Sequence, residues 1–185
     1  MTIPDPDPDT ITFRPAVPAD ALCLGVLSTQ VFLDTYAKQG VTPALAREVL
    51  SQHSVAVYEA LLCDAGVTVL VAERAGHLVG LSQAIDRAGH ALVPATGASE
   101  LRRLYVQEGF TGRGVGRDLL RQAEKAAAAR GADMLWLTAW EGNARALQFY
   151  PRCGYEDLGG TVYSFGGDDF PNRLFAKRVR HIALA

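Results

Sequence analysis

The stretch that decides the fold runs from residue 104 to residue 120: Leu-Tyr-Val-Gln-Glu-Gly-Phe-Thr-Gly-Arg-Gly-Val-Gly-Arg-Asp-Leu-Leu. An apolar strand precedes, a helix follows, and the turn between them contains three glycines, Gly112, Gly114 and Gly116. Glycine lets the backbone approach a ligand closely, and the start of a helix presents unpaired N–H groups at its positive end. The pattern predicts a cradle for phosphate or pyrophosphate, with further positive charge from Arg113 and Arg117.

Two common phosphate-binding motifs do not match this turn. A nucleotide-binding P-loop ends in Gly-Lys-Ser or Gly-Lys-Thr, which is missing here. The dinucleotide fingerprint Gly-x-Gly-x-x-Gly requires a third glycine at position 117 or 119, and those positions hold Arg117 and Leu119. Asp133 lies about 20 residues downstream, where a ribose-binding acid belongs, but it begins the next predicted strand. A tight turn that only packs the helix on the strand stays open as an alternative.

The rest of the chain predicts one α/β domain, a mixed (α+β) sheet with helices on both faces, over residues 10–185, preceded by a flexible arm at residues 1–9 that is rich in Pro and Asp. Strands are expected at residues 10–14, 67–73, 78–85, 100–106, 134–139, 162–165 and 173–179. Helices are expected from residue 21, over residues 44–51, over residues 115–130 and over residues 143–153.

Composition excludes several classes of protein. The 185 residues carry 18 Lys and Arg against 20 Asp and Glu, so a general nucleic-acid binder is not expected. No apolar run approaches the roughly 20 residues that a membrane helix requires. Three cysteines at irregular spacing, Cys23, Cys63 and Cys153, predict neither a disulfide framework nor a zinc site. Scattered histidines predict no metal site, and the N-terminus does not resemble a signal peptide, so we expect a cytoplasmic protein.

A second motif lies at residues 143–155: Asn-Ala-Arg-Ala-Leu-Gln-Phe-Tyr-Pro-Arg-Cys-Gly-Tyr. It resembles the signature Asn-x-x-Ala-x-x-x-Tyr-x-x-x-Gly-Tyr/Phe of the GNAT superfamily of N-acetyltransferases. The turn at residues 111–116 resembles the acyl-CoA pyrophosphate loop of that superfamily, usually Gln/Arg-x-x-Gly-x-Gly/Ala. A hydrophobic strand lies between the two motifs, as in the superfamily, and the order of strands and helices extends the resemblance over residues 10–180.

The resemblance implies a central, mostly antiparallel mixed sheet and acetyl-CoA as the donor of an acetyl group. The acceptor it implies is a primary amine of a small molecule, amino acid or peptide, which attacks directly in a ternary complex. The residues implied to bind the cofactor are Leu104, Tyr105, Val106, Thr111, Gly112, Arg113, Gly114, Val115, Gly116, Arg117, Asn143 and Phe149. Thr111 stands where the superfamily usually has Gln or Arg, and Arg113 is expected to compensate for it. Asn143 is also a plain helix cap in the alternative interpretation.

Tyr150 matches the position of the superfamily's usual general acid. A phenol has an ordinary pKa near 10 and lies within roughly two units of a thiol, so it can protonate the leaving thiolate. Phe149 is expected to serve the core while Tyr150 faces the cofactor. Glu100 lies four residues before Leu104, where some histone-acetylating members carry a glutamate base. An exposed acid at Glu100, with a chain of water molecules as the base, stays open.

Strand alternation predicts that Glu100 lies on the same face as Arg102, Leu104 and Val106. The resemblance places the acceptor near Phe32, Tyr36 and Asp168, and the Phe-x-x-Thr-Tyr stretch at residues 32–36 is similar to bacterial members that acetylate polyamines, amino acids or peptides. Two other functions stay open: a non-catalytic acyl-CoA-binding or regulatory module, and an acetyltransferase for protein N-termini or lysines. A homodimer also stays open.

Overall fold

The computed structural model describes residues 10–95, 97–165 and 167–179, so the proposed N-terminal arm at residues 1–9 lies outside the described residues. The strands are β1 Ile11–Pro15, β2 Val67–Arg74, β3 His77–Ile85, β4 Ala98–Val106, β5 Met134–Trp140, β6 Glu156–Phe165 and β7 Asp168–Arg178. The helices are α1 Ala21–Tyr36, α2 Pro43–Gln52, α3 Val55–Cys63, α4 Val115–Ala129 and α5 Ala144–Arg152. The predicted mixed α/β architecture is confirmed.

The sheet has seven strands in the order β1-β2-β3-β4-β5-β7-β6. Within the described part of the chain, β4 and β5 form the one parallel pair, and the other neighbours are antiparallel. The parallel pairing covers only three residue pairs, from Ala98 with Met134 to Glu100 with Trp136. Both strands continue beyond this point without pairing to each other. The sheet is therefore split at its centre, along the second halves of β4 and β5.

The helices cover both faces of the sheet, because each face carries its own apolar cluster. On one face lies the cluster of α4, in which buried residues of α4 such as Leu119 and Leu120 pack with Leu135 and with Tyr150 of α5. On the other face, Leu24 of α1 packs with Tyr58 of α3 and with the apolar side chains of β2 and β3. The opening between β4 and β5 is consequently bordered by α4 and α5 on one side and by α1 on the other.

Helix α3 was missing from the sequence prediction. Its segment is apolar almost all round, so it shows little of the one-sided periodicity that identifies a surface helix. It begins at the cap residue Ser54, whose hydroxyl accepts the N–H of Val57 at 3.4 Å. The last two strands are also longer than predicted, because β6 begins at Glu156 and β7 at Asp168. The segment around Asp168 was expected to be a loop, and most of it is strand.

A β-bulge in β4 corrects the predicted alternation of side chains. Gln83 of β3 pairs with Arg103 and Ala84 pairs with Leu101, so Arg102 is an extra residue in β4. Leu101, Leu104 and Val106 all pack into the cluster of α4. Glu100 precedes Leu101 in regular alternation and therefore lies on the opposite face of the sheet. The prediction that Glu100 shares a face with Leu104 and Val106 was wrong, because one inserted residue reverses the alternation.

Candidate active site

The glycine-rich turn meets the N-terminus of α4 beside the opening between β4 and β5. Gly112 and Gly114 have φ values of +74° and +89°, which favour glycine, and Gly114 is the N-cap residue of α4. A side chain at Gly112 would meet nothing within 4 Å, so this part of the turn faces open space. The first N–H groups of a helix have no partner within it, and Val115, Gly116 and Arg117 supply them here. The turn therefore presents free backbone N–H groups where the anion cradle is predicted.

We expect Gly114→Ala to lower the free energy of unfolding by about 1–2 kcal/mol, because alanine is strained in the left-handed conformation. Gly116→Ala is the matched control. Its Cβ would lie at ordinary contact distance from Val106 and Phe149, at 3.7 and 3.9 Å, and its φ is not in the left-handed region. Urea unfolding of both variants measures the difference. Equal stabilities would show that the turn tolerates a side chain at Gly114.

The side chains of the turn differ in whether they present positive charge to the outside. Arg113 is exposed, and its guanidinium lies 5.8 Å from the centre of the Phe110 ring. Thr111 directs both its hydroxyl and its N–H to the carbonyl of Glu108, at 2.9 and 3.1 Å. Thr111 thus closes the preceding turn with its own donors. This arrangement leaves Arg113, Arg117 and the backbone of the turn as the positive groups that face outward.

The second motif specifies both ends of α5. Asn143 is the N-cap residue, and its side-chain oxygen accepts the N–H of Ala146 at 3.1 Å. At the other end, Gly154 has a φ of +84° and donates to Pro151, while Tyr155 donates to the carbonyl of Tyr150 at 3.1 Å. These two bonds form a Schellman motif, which ends the helix and packs Tyr155 against Tyr150. The spacing of the motif therefore fixes where Tyr150 lies.

Tyr150 is the more buried residue of the Phe149–Tyr150 pair, with 8% of its surface exposed. Its ring contacts Phe149, Tyr155 and Phe175, with centroids 5.2 to 5.8 Å apart. Both aromatic residues belong to the cluster of α4. Tyr150 therefore packs in the core as well, and not Phe149 alone as expected. Burial raises the pKa of Tyr150, and the nearby hydroxyl of Tyr105 raises it further. The phenol is therefore neutral over the whole physiological range.

The hydroxyl of Tyr150 is not sealed in the core. Among the described residues, the fully buried side-chain oxygens without a hydrogen-bond partner belong to Tyr58, Ser82 and Tyr155. Tyr150 is outside that group, and the described contacts give its hydroxyl no partner in the protein. Its proton is consequently available to a bound molecule.

The unpaired half of β4 contains the residues predicted to lie along the cofactor. Leu104 and Val106 are half-buried against α4, where Val106 and Phe149 both lie next to Gly116. Tyr105 points to the opposite face, into the cluster of α1 and α3. The structure thus brings Leu104, Val106 and Phe149 to the same side of the opening and places Tyr105 on the other.

Glu100 lies at the last residue pair between β4 and β5, where the opening begins. Both of its carboxylate oxygens accept the guanidinium of Arg102, at 3.1 and 2.7 Å. This ion pair holds the carboxylate beside the bulge and raises the pKa of Arg102. The side chain of Glu100 is 15% exposed. It is accessible to water from the face opposite to α4.

Phe32 and Tyr36, two of the predicted acceptor residues, meet in an aromatic cluster. Their ring centroids are 4.6 Å apart, and Tyr36 lies 5.3 Å from the centroid of Trp140. Phe165 and Phe170 of the β6–β7 hairpin stack at 4.3 Å and close the cluster. We call these five residues, Phe32, Tyr36, Trp140, Phe165 and Phe170, the aromatic cluster. Burial raises the pKa of Tyr36 to about 12.

Asp168, the third predicted acceptor residue, is exposed at the start of β7 and pairs in register with Phe165. The described contacts do not bring its carboxylate to Tyr36. Its neighbour Asp169 accepts the hydroxyl of Ser164 at 2.5 Å. The hairpin therefore contributes its aromatic side chains to the cluster and its acids to the rim.

Sequence reasoning missed the polar groups of α2 and β4 near this cluster. The hydroxyl of Tyr163 donates to Glu48 at 2.8 Å and so joins β6 to α2. Arg103 is buried between β3 and α2. His53 and Ser28 form a buried pair at 2.7 Å, and burial lowers the pKa of His53 to about 3. These residues are far apart in the sequence and share no motif, so only their contacts identify them.

The described part of the chain, which excludes both termini and residues 96 and 166, contains no cluster of His, Cys, Asp and Glu suited to a metal ion. None of its helices is both long enough and apolar enough to cross a membrane.

Several known proteins are similar to this chain. An uncharacterized N-acetyltransferase in the pepI 3′ region of Lactobacillus delbrueckii subsp. lactis is 26% identical over 154 residues, which are 83% of this chain and 88% of the relative. The crystal structure of the PaiA N-acetyltransferase from Thermoplasma acidophilum in complex with coenzyme A has a TM-score of 0.70 at 21% identity, covering 91% of this chain and 99% of that one. YncA of Salmonella typhimurium, solved with its cofactor acetyl-CoA, has a TM-score of 0.65 at 19% identity, covering 94% and 96%.

The structural likeness confirms the predicted fold, a mixed sheet with helices. A family model extends the match to the sequence, because it covers residues 33–155, more than half of the chain and both motifs. The chain belongs to the acetyltransferase (GNAT) family.

Proposed function

We propose that this acetyltransferase transfers the acetyl group of acetyl-CoA to a primary amine of a small molecule, amino acid or peptide. Its membership of the family makes it an acyltransferase with acetyl-CoA as the donor. The amine attacks the thioester directly in a ternary complex, with residues of the chain assisting both proton transfers.

The observation that carries the proposal is the opening between β4 and β5. One end of it meets the glycine turn and the free N–H groups of α4, which suit a pyrophosphate. Backbone groups along the unpaired edge of β4 suit the amides of an extended chain, which can add to the sheet as a strand does. Tyr150 and the aromatic cluster lie on either side of the opening. The cleft therefore fits a long, phosphate-bearing thioester.

Tyr150 is the proposed general acid. Bound acetyl-CoA supplies the acetyl group as an activated thioester. Tyr150 holds its proton at the hydroxyl and donates it toward the sulfur that leaves. Burial raises the pKa of this phenol, which by itself weakens the acid. A thiolate in the same apolar surroundings also has a raised pKa, so the two groups stay matched closely enough for proton transfer.

Glu100 is the proposed base, acting through water. A primary amine is mostly protonated at neutral pH and must lose a proton before it attacks. Glu100 lies at the start of the opening, on the face of the sheet that holds α1 and α3 rather than the face of α4. Its ion pair with Arg102 leaves the carboxylate oriented but not sealed. A water chain that ends at Glu100 can take up the proton of the amine.

The acceptor side chain is proposed to occupy the aromatic cluster, with Asp168 at its rim. Phe32 and Tyr36 present an apolar surface next to the opening, and the phenol of Tyr36 remains neutral because its pKa is about 12. Asp168 can attract a cationic amine as it enters, since its carboxylate is exposed.

Free thiols at Cys23, Cys63 and Cys153 suit a reducing compartment, and we propose the cytoplasm as the location of the protein.

The proposal is tested by measuring thiol release from acetyl-CoA with amino acids, short peptides, polyamines and aminoglycosides as acceptors. Acetyl-CoA alone is expected to raise the melting temperature, because it binds only the folded state. At least one class of amine is expected to release CoA in proportion to its own acetylation, measured by mass spectrometry.

Two outcomes separate the alternatives. Binding of acetyl-CoA without acetylation of any amine would favour a non-catalytic acyl-CoA-binding module. Acetylation of intact proteins, but not of free amines, would favour an enzyme for protein N-termini or lysines.

A further inference from the structure

Arg103 is a buried cation for which the proposed roles do not account. Only 8% of its surface is exposed. Its guanidinium donates to the side-chain oxygen of Gln83 and, at 3.1 Å, to the backbone carbonyl of Gln52, and both partners are neutral. No carboxylate of the described residues lies within ion-pair distance of it. Arginine is almost never fully buried without a counter-charge.

The fold compensates part of this charge. Gln52 is the last residue of α2, and the C-terminus of a helix carries a partial negative charge of roughly one half. The neighbouring acids are otherwise engaged, because Glu100 is paired with Arg102 and Glu48 accepts the hydroxyl of Tyr163. Arg103 therefore retains uncompensated positive charge and N–H donors beyond its two protein bonds, since a guanidinium has five.

The position of Arg103 relates it to the aromatic cluster. Arg103 and Tyr105 lie on the same face of β4 by regular alternation, opposite to Leu104. Arg103 donates to the carbonyl of Gln52, and the ring of the next residue, His53, lies 4.9 Å from Phe32 of the aromatic cluster and 6.3 Å from Tyr105. The guanidinium is thus one residue away from a side chain that packs on the aromatic cluster.

We propose that Arg103 binds the carboxylate of the acceptor, so that the acceptor is an α-amino acid with a large apolar or aromatic side chain. This inference rests on the proposed transfer to an amine. A guanidinium and a carboxylate match as two parallel N–H···O bonds. One carbon separates the amine from the carboxylate of an α-amino acid. A carboxylate at Arg103 therefore directs the side chain of the amino acid toward the aromatic cluster and leaves its amine, one carbon away, to face the opening.

The positive charge of Arg103 disfavours a polyamine as the acceptor. Such a molecule carries several cations and no anion, so Arg103 repels it where it attracts an amino acid. The inference accordingly selects one acceptor among those that the fold permits.

The test compares acceptors that differ only in the carboxylate: phenylalanine with phenethylamine, and tryptophan with tryptamine. For the wild type we expect kcat/KM to be about 100-fold higher for each amino acid than for its amine, as for a buried hydrogen-bonded charge pair. Arg103→Gln is expected to remove most of that difference, by lowering kcat/KM for the amino acids and leaving the amines nearly unchanged. Arg47→Gln, at an exposed position on α2, should change neither.

The outcomes distinguish this inference from the proposed function. Equal losses for amino acids and amines in Arg103→Gln would assign Arg103 to the helix end alone and overturn the inference. Wild-type acetylation of amines or spermidine in preference to amino acids would overturn it without any variant, and would leave the proposed function intact. Acetyl-CoA binding without acetylation of any of these acceptors would overturn both. Arg103→Lys keeps the positive charge but loses the planar guanidinium that binds a carboxylate through two parallel N–H groups. It should therefore fold and recover only part of the preference for amino acids over amines.

Discussion

Tyr150→Phe is expected to lower kcat by about 10²- to 10⁴-fold, the range that a positioned general acid contributes. The ring of Tyr150 fills a site between Phe149, Tyr155 and Phe175, and phenylalanine preserves those contacts. The variant loses only the hydroxyl, which has no protein partner among the described contacts. Its affinity for acetyl-CoA, measured by calorimetry, and its melting temperature should remain close to those of the wild type.

Tyr155→Phe is the matched control for this prediction. Tyr155 lies five residues later, with its ring centroid 5.8 Å from that of Tyr150, and its buried hydroxyl has no hydrogen-bond partner. Removing that hydroxyl should leave kcat unchanged. Tyr150→Phe with full activity would remove Tyr150 from the mechanism, and a matching loss in Tyr155→Phe would indicate a packing effect instead of proton transfer.

The second large effect is unfolding in alkali. All six tyrosines have a pKa above the ordinary value, and burial is the main cause in each case. In the unfolded chain they lose their protons near pH 10, whereas in the folded chain they keep them, up to about pH 12 for Tyr36. The unfolded state is therefore favoured as the pH rises from 10 to 12. The stabilising contribution is complete below pH 10.

The size of this effect approaches the whole stability of a domain. Each tyrosine that keeps its proton in the folded state, while the unfolded chain loses it, costs about 1.4 kcal/mol per pH unit. Tyr163 is 42% exposed, so water screens its contribution. Several such residues remove an amount comparable to the usual 5–15 kcal/mol or so of a folded domain. We expect cooperative unfolding between pH 10 and 12, with tyrosinate absorbance and loss of circular dichroism at the same midpoint.

Tyr155→Phe serves here as well, because it removes one of the titrating groups and should raise the midpoint of alkaline unfolding. Tyrosinate absorbance that rises gradually while the circular dichroism stays native would contradict the prediction. Such a result would mean that the phenols are open to solvent in the folded protein.

The two motifs could be found in the sequence because each encodes a local structure. The glycines of the first motif are required where φ is positive, as at Gly114. The second motif contains both ends of a helix, from the N-cap residue Asn143 to Gly154 beyond the last turn. Local conformation depends on neighbours in the chain, so the residue order alone predicts the glycine turn, the place of Tyr150 and the α/β alternation around them.

Contacts between distant segments explain the features that the sequence did not predict. One extra residue in β4 reversed the face of Glu100 because it broke the pairing with β3. Helix α3 could not be predicted because its packing against α1 and β2, and not a periodic sequence pattern, stabilises it. The proposed acceptor side combines Tyr36, Trp140 and Phe170 with Arg103. The proposed donor site is built from consecutive residues, so it can be predicted from their order. The proposed acceptor site depends on burial and charge between residues far apart in the chain, so it emerges only when the chain is folded.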